Sequence, residues 1–454
     1  MVDEIHQLLE YIFQLTHFIT RPLARSQSLA ALSEVYFHSG GTGRGLEIVT
    51  ESLIAADQIK RPEEKARQLA WIARVYSEAG QKEKAGEQFQ RALLLSRATV
   101  TPEQKIGALY YVASEYADAG WQDEAEQVLV ALKQSILSEG SEVDVTCELI
   151  NIAEIYADIG SQSKAVEILQ ETVPLIGSLK DNWFKAERFV EAGGLLISIK
   201  EMEKALPVLD EALRITLLIE ETHQPYFYLK IFDAYINADH PTEAFNILER
   251  TRHLIKLDEP SLSLANDLRE TAVRFARLDH SSTAADLLYQ AYAVIEKVDN
   301  LKEKIAGLIQ LCESFADLTL NEKSIEIVNR VSDLVKTLQD SRTRLYFLGQ
   351  LIILNVHLKQ PDKSSELVQE IVQMAHSTNF KTSGLGAIAN ELAEAGAIDL
   401  ALGLTGLIRE PEIKAESLMS ITHAVIESKS ALSDPIRQLI SQILRDSEKS
   451  PYRS

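Results

Sequence analysis

Residues 66–94 read ARQLAWIARVYSEAGQKEKAGEQFQRALL, and this stretch decides the fold. Leu69, Ile72, Ala73 and Tyr76 recur at helical spacing and give one apolar face. Gly80 follows, the residue type that most readily leaves a helix through the left-handed region. A second helix opens at about Lys82 and turns Ala85, Phe89 and Ala92 inward. Ala85 has to be small because two helix backbones approach closely there. Pro62 and Pro102 sit where a first helical turn tolerates proline. Thr101 offers a capping side chain just before Pro102. The unit is a helical hairpin.

Working outward, the hairpin repeats. Tyr36, Tyr76, Tyr116 and Tyr156 recur at one constant period, and Gly40, Gly80, Gly120 and Gly160 follow them at a fixed offset. At a second fixed offset after each glycine stands a small residue: Gly45, Ala85, Ala125 and Ala165. The small-residue series continues through Ala205, Ala244, Ala284, Ser324, Ser364 and Ala401. One hairpin cannot bury its own apolar faces, whereas stacked hairpins share a continuous core. The repeats therefore replace the three or so domains that 454 residues would otherwise suggest. Residues 1–24, with Leu8, Leu9, Ile12 and Phe13, are expected to form an N-terminal capping helix. Residues 25–411 would hold about ten hairpins, and 412–454 a degenerate helix pair and tail closing the other end.

Composition narrows the function. The net charge of −21 is a poor match to nucleic acid, whose phosphates are bound by Lys and Arg, and to an anionic membrane surface. No apolar run reaches about 18 residues, so no membrane-crossing helix is expected. The acidic opening Met-Val-Asp-Glu-Ile does not read as a secretory signal. A cytoplasmic location is the expectation. Two cysteines, Cys147 and Cys312, are too few for a disulfide framework or a cysteine-based zinc site. Cys312 takes the small-residue slot that Ala73, Ala113 and Ala153 fill in other repeats, which suits a buried filler.

Catalytic patterns do not emerge. No two histidines show the spacing of a zinc protease. The Gly-rich segment 40–45 has no phosphate-loop Lys and no strand before it, so it reads as a turn. Glu154 and Asp158 form an i, i+4 carboxylate pair, but nothing in the sequence encloses them in a dry site. The expectation is a chain without enzymatic activity, metal or cofactor.

The pattern Ile72-Ala73-x-x-Tyr76-x3-Gly80-x4-Ala85-x3-Phe89-x-x-Ala92 resembles a tetratricopeptide repeat. The match weakens near 304 and 344, where Thr319 and Lys359 replace the glycine. The period is 40 rather than the family's usual 34 or so. The resemblance implies an all-α, right-handed superhelical solenoid of antiparallel hairpins whose first helices line a concave groove. Mapped onto this sequence, that lining includes Arg74, Glu78, Tyr110, Tyr111, Asp118, Glu154, Asp158 and Asp233. Some members of the family clamp a chaperone's C-terminal carboxylate with Lys and Asn. Here Ala70, Arg74, Tyr110, Tyr111 and Ser114 stand in the corresponding places, which disfavours that role.

Acids with aromatic anchors suit a basic or amphipathic segment of a partner protein or peptide. The leading reading is accordingly an adaptor or scaffold. The alternative is a solenoid subunit of an enzyme or regulatory complex. In that reading the apolar segment 344–358, with Tyr346, Ile353 and Val356, docks a partner or a second copy. A basic residue also recurs near the start of the first helices: Arg25, Lys65, Lys105, Lys185, Lys304, Arg344, Lys381 and Lys414. These read as structural edge residues with local ion pairs.

Overall fold

The computed structural model describes residues 2–99, 101–139, 142–257, 259–377, 383–428 and 433–448. Lys381 of the basic series and the tail 449–454 lie outside them. Twenty-three α-helices and no strand are present among the described residues. The first helices of the hairpins are α2 (Pro22–His38), α4 (Pro62–Glu78), α6 (Pro102–Asp118), α8 (Glu142–Asp158), α10 (Asn182–Ser198), α12 (Gln224–Asn237), α14 (Leu262–Arg277), α16 (Leu301–Asp317), α18 (Ser341–His357), α20 (Ser383–Glu394) and α22 (Pro411–Ser428). Between them run α3 (Thr42–Ala56), α5 (Lys82–Ala98), α7 (Gln122–Glu139), α9 (Gln162–Ser178), α11 (Met202–Thr216), α13 (Pro241–Leu254), α15 (Ser281–Ile295), α17 (Asn321–Lys336), α19 (Pro361–Ser377) and α21 (Ile398–Leu407). The chain opens with α1 (Val2–Thr16) and closes with α23 (Asp434–Glu448). It divides into two compact units, one holding residues 1–99 and 328–454, the other 100–327.

Each hairpin turns the same way. The residue closing the first helix is left-handed at Gly40, Gly80, Gly120, Gly160 and Gly396, and equally at Lys200, Asp239, Asp279, Thr319 and Lys359, whose φ values run from 56° to 65°. One step on, an N–H returns to a carbonyl near the end of that helix, as Gln81 does to Tyr76 and Gln360 to Asn355, both at 2.8 Å. This is a Schellman closure. Where the backbone conformation is fixed by the hairpin, glycine is the low-strain choice but not the only one used.

The small slot in the second helix is fully buried, from Ala85 to Ala401. In the first hairpin even alanine is too large, because a Cβ on Gly45 would collide with the Phe37 ring. Tyr36, Tyr76 and Tyr235 bury their rings and pass their hydroxyls to the preceding second helix, bonding Glu10, Thr50 and Asp210 respectively. The recurrent basic residue also has a defined task. Lys65 Nζ donates to the Asp57 carbonyl at 3.0 Å, and Lys304 Nζ to the Glu296 carbonyl at 2.7 Å. Each cation caps the C-terminus of the helix before it, where the helix dipole is negative.

At the places expected to hold end caps, the two ends of the chain pack together. α1 starts one repeat period before α3 and is in second-helix register. It packs on α2, α22 and α23, while α22 packs on both α20 and α2. Pro411, Lys414, His423 and Glu427 stand in the register of Pro22, Arg25, Glu34 and His38. Thus α22 from one end and α1 from the other make one composite hairpin. Arg21 grips both oxygens of Glu412 at 2.6 and 2.8 Å, and Arg437 approaches Glu4 at 3.6 Å.

Candidate functional site

The expected groove residues fall into two groups. Arg74, Glu78 and Asp233 are held by neighbours. Arg74 pairs with Glu78 one turn later and with Glu34 of the preceding repeat at 2.7 Å, while Trp71 also donates to Glu34. Asp233 receives Arg274 at 2.6 Å and Arg277 at 2.5 Å, both from the following first helix. Arg274 further holds Glu270 at 2.6 Å. These acids are largely neutralised where they stand.

Tyr110, Glu154 and Asp158 are brought together instead. Burial pushes the Tyr110 phenol up, and the charges of Glu154, Glu148 and Asp158 push it further, against a hydrogen bond with Ser114. The phenol of α6 is thus within electrostatic reach of three carboxylates of α8. Glu154 and Asp158 are exposed and take no ion pair among the described residues. Asp118 is exposed on the last turn of α6, and Tyr111 lies half-buried beside this face. The reason for the open charge lies one repeat on. Glu154 and Asp158 are followed one period later by Gly194 and Ser198, whereas Glu34 is followed by Arg74. The physical chemistry available is electrostatic attraction of a cation beside an aromatic surface.

The expected apolar patch is corrected in part. Tyr346 is 59% exposed, but Ile353 is only 8% exposed and Val356 is half-buried. A Cβ on Gly349 would collide with Ile388, so α18 and α20 approach too closely to leave this face open. Cys312 is buried, donates to the Ser324 carbonyl at 3.4 Å, and has its thiol pushed up to about 12 by burial and then by Glu313.

Two features were not read from the sequence. Trp183 stacks on Tyr226 with ring centres 5.4 Å apart and meets Phe227 edge-on at 4.7 Å. Tyr226 is 41% exposed, and Lys230 sits 4.6 Å over its ring. Trp183 and Tyr226 are separated by slightly more than one period, so periodicity hides them. The other feature is a cleft of about 810 Å³ bounded by α2, the α20–α21 turn, α22 and α23. The register match of α22 to α2 is the signal that points to it.

Among the described residues no helix is long and apolar enough to cross a membrane, and no three His, Cys, Asp or Glu side chains are grouped to hold a metal ion.

These hairpins define an all-α repeat array. The tetratricopeptide repeat model matches residues 67–99, and the same left-handed closure recurs in ten hairpins among the described residues, so the chain carries a tetratricopeptide repeat within an array of like hairpins. Among solved structures, Ton1535 from Thermococcus onnurineus NA1 is similar at 18% identity over 86% of this chain and 98% of that one, with a TM-score of 0.32. A signal transduction ATPase with a tetratricopeptide repeat sensor from Pyrococcus horikoshii is similar at 13% identity over 87% of this chain and 66% of that one, with a TM-score of 0.33. No curated protein matches the sequence.

Proposed function

We propose that this protein is a non-enzymatic interaction scaffold whose α6–α8 face receives a basic or amphipathic segment of a partner protein. The observation that carries this is the placement of Tyr110 among Glu148, Glu154 and Asp158, with the last two exposed and unpaired. At the same repeat position elsewhere, Glu34 and Asp233 are matched by arginines, so the charge here is available to a partner. Half-buried Tyr110 and Tyr111 supply contact area beside it at little entropic cost.

The test is calorimetric titration with a Lys/Leu amphipathic peptide, at low and high salt, against the wild type and a Glu154→Lys, Asp158→Lys double variant. Binding that weakens at least about tenfold in the variant and falls with salt supports the reading. Equal binding by both proteins removes this face as the site.

A further inference from the structure

The cleft at the composite hairpin is separate from the α6–α8 face. It takes one wall from each end of the chain. Ala31, Glu34, Val35 and His38 of α2 line it, and so do Ser420, His423, Ala424 and Glu427 of α22, the same four repeat positions at the other end of the array. Glu394 completes the rim from the end of α20. His38 and His423 meet edge to face, with ring centres 6.2 Å apart.

The lining decides the occupant. Its titratable side chains are three carboxylates and two histidines, with no Lys or Arg among them. Glu34 is already bound by Arg74 and Trp71, which leaves the exposed Glu394 and Glu427 as the rim acids, Glu427 standing 3.6 Å from the His423 ring. Below them the surface is apolar, with Val35, Ala424, Met419 and Ile436. A volume of about 810 Å³ is within the range of specific ligand pockets. Acid at the rim over an apolar floor complements a basic side chain borne on an apolar helical turn.

We propose that this cleft binds a basic amphipathic segment of a partner protein, and that binding clamps the two ends of the chain together. Because the walls belong to residues 31–38 and 420–428, the site exists only while α22 lies against α2. A ligand that needs both walls stabilises their pairing by mass action. The coupling distinguishes this site from a groove built on consecutive repeats.

The experiment uses the full chain carrying Glu154→Lys and Asp158→Lys, so that the α6–α8 face is silenced. A fluorescein-labelled Lys/Leu amphipathic peptide is titrated by anisotropy, and hydrogen exchange is followed in α1 and α22. Binding should persist, weaken at least about tenfold on Ala424→Trp and on Glu394→Gln with Glu427→Gln, and slow exchange in both end helices. The Gln pair is isosteric and keeps the test valid if the Trp variant does not fold. Control changes at Glu83→Gln and Glu87→Gln, on α5, should leave binding unaltered. No binding, equal binding by all variants, or unchanged exchange overturns the proposal. Complete displacement by spermine with the same variant dependence also overturns it, in favour of a small polyamine site. Loss of binding confined to the Lys double variant would overturn this cleft and leave the α6–α8 reading standing.

Discussion

The unit formed by residues 100–327 contains two solutions to one repeat position. Early in it, Glu154 faces solvent and the turns close on Gly120 and Gly160. Later in it, Asp233 is held by Arg274 and Arg277, and the turns close on Asp239, Asp279 and Thr319. The backbone is the same in both. What differs is the next first helix: α10 offers Gly194 and Ser198 in register with Glu154 and Asp158, whereas α14 offers Arg277 one period after Asn237 and Arg274 one residue out of Asp233's register. The repeat geometry thus fixes where a charge stands, and the next first helix decides whether it is paired inside the array or left exposed.

Breaking the later solution should have the largest effect on stability. Arg274→Ala removes a cation, mostly buried, that serves both Asp233 and Glu270. A loss of about 2 kcal/mol is expected, between the values for exposed and buried pairs, measurable by urea unfolding. A loss of only a few tenths would mean that the pairing is incidental.

The turns provide a smaller contrast. Gly80→Ala should cost about 1 kcal/mol, because its φ is 74°. Thr319→Gly should do the reverse and stabilise by about 1 kcal/mol, since a β-branched residue there is held at φ 59°. Thermal unfolding of the two variants, shifting in opposite directions, checks the pair together.

A separate effect concerns pH. Burial, and then the charge of Glu270, push Asp267 of α14 up to about 6. Its folded value lies above its unfolded value, so the folded state binds the extra proton. Stability from this group is present below pH 4 or so and declines as pH rises through about 6. Asp267→Asn should flatten that decline in unfolding experiments run across this window; an unchanged slope would contradict the assignment.

Much of the fold was legible because it repeats. Tyr36 to Tyr156 and Gly40 to Gly160 announced the turn, and the small residues from Gly45 to Ala401 carried the register through degenerate copies. Lys200, Asp239, Asp279, Thr319 and Lys359 did not announce left-handed backbone, because the hairpin imposes it on residues other than glycine, including the lysines and the β-branched Thr319, which resist it. Lys65 and Lys304 read as ion-pair residues, but their reach to a helix-end carbonyl depends on the turn geometry. The α6–α8 acids were legible by position; that Asp233 is paired and Glu154 is not required knowing which side chains of the next helix reach back. The apolar run around Ile353 suggested a docking patch, and the close approach at Gly349 instead brings α20 against this helix, where Ile353 is buried, since which neighbour covers a helix face is not written in that helix. The composite hairpin escaped because its halves lie at opposite ends of the sequence.

The most direct measurement supplies the early solution with the missing cation. Gly194 has open space where a side chain would begin, so Gly194→Arg can be accommodated. It should raise helix stability by up to about 1 kcal/mol. Calorimetric titration of the Lys/Leu peptide, with the α2–α22 cleft blocked by Ala424→Trp, should then show binding at least about tenfold weaker than with Gly194 in place. Undiminished binding by a folded Gly194→Arg protein would contradict the claim that unpaired charge on α8 is what recognises the partner.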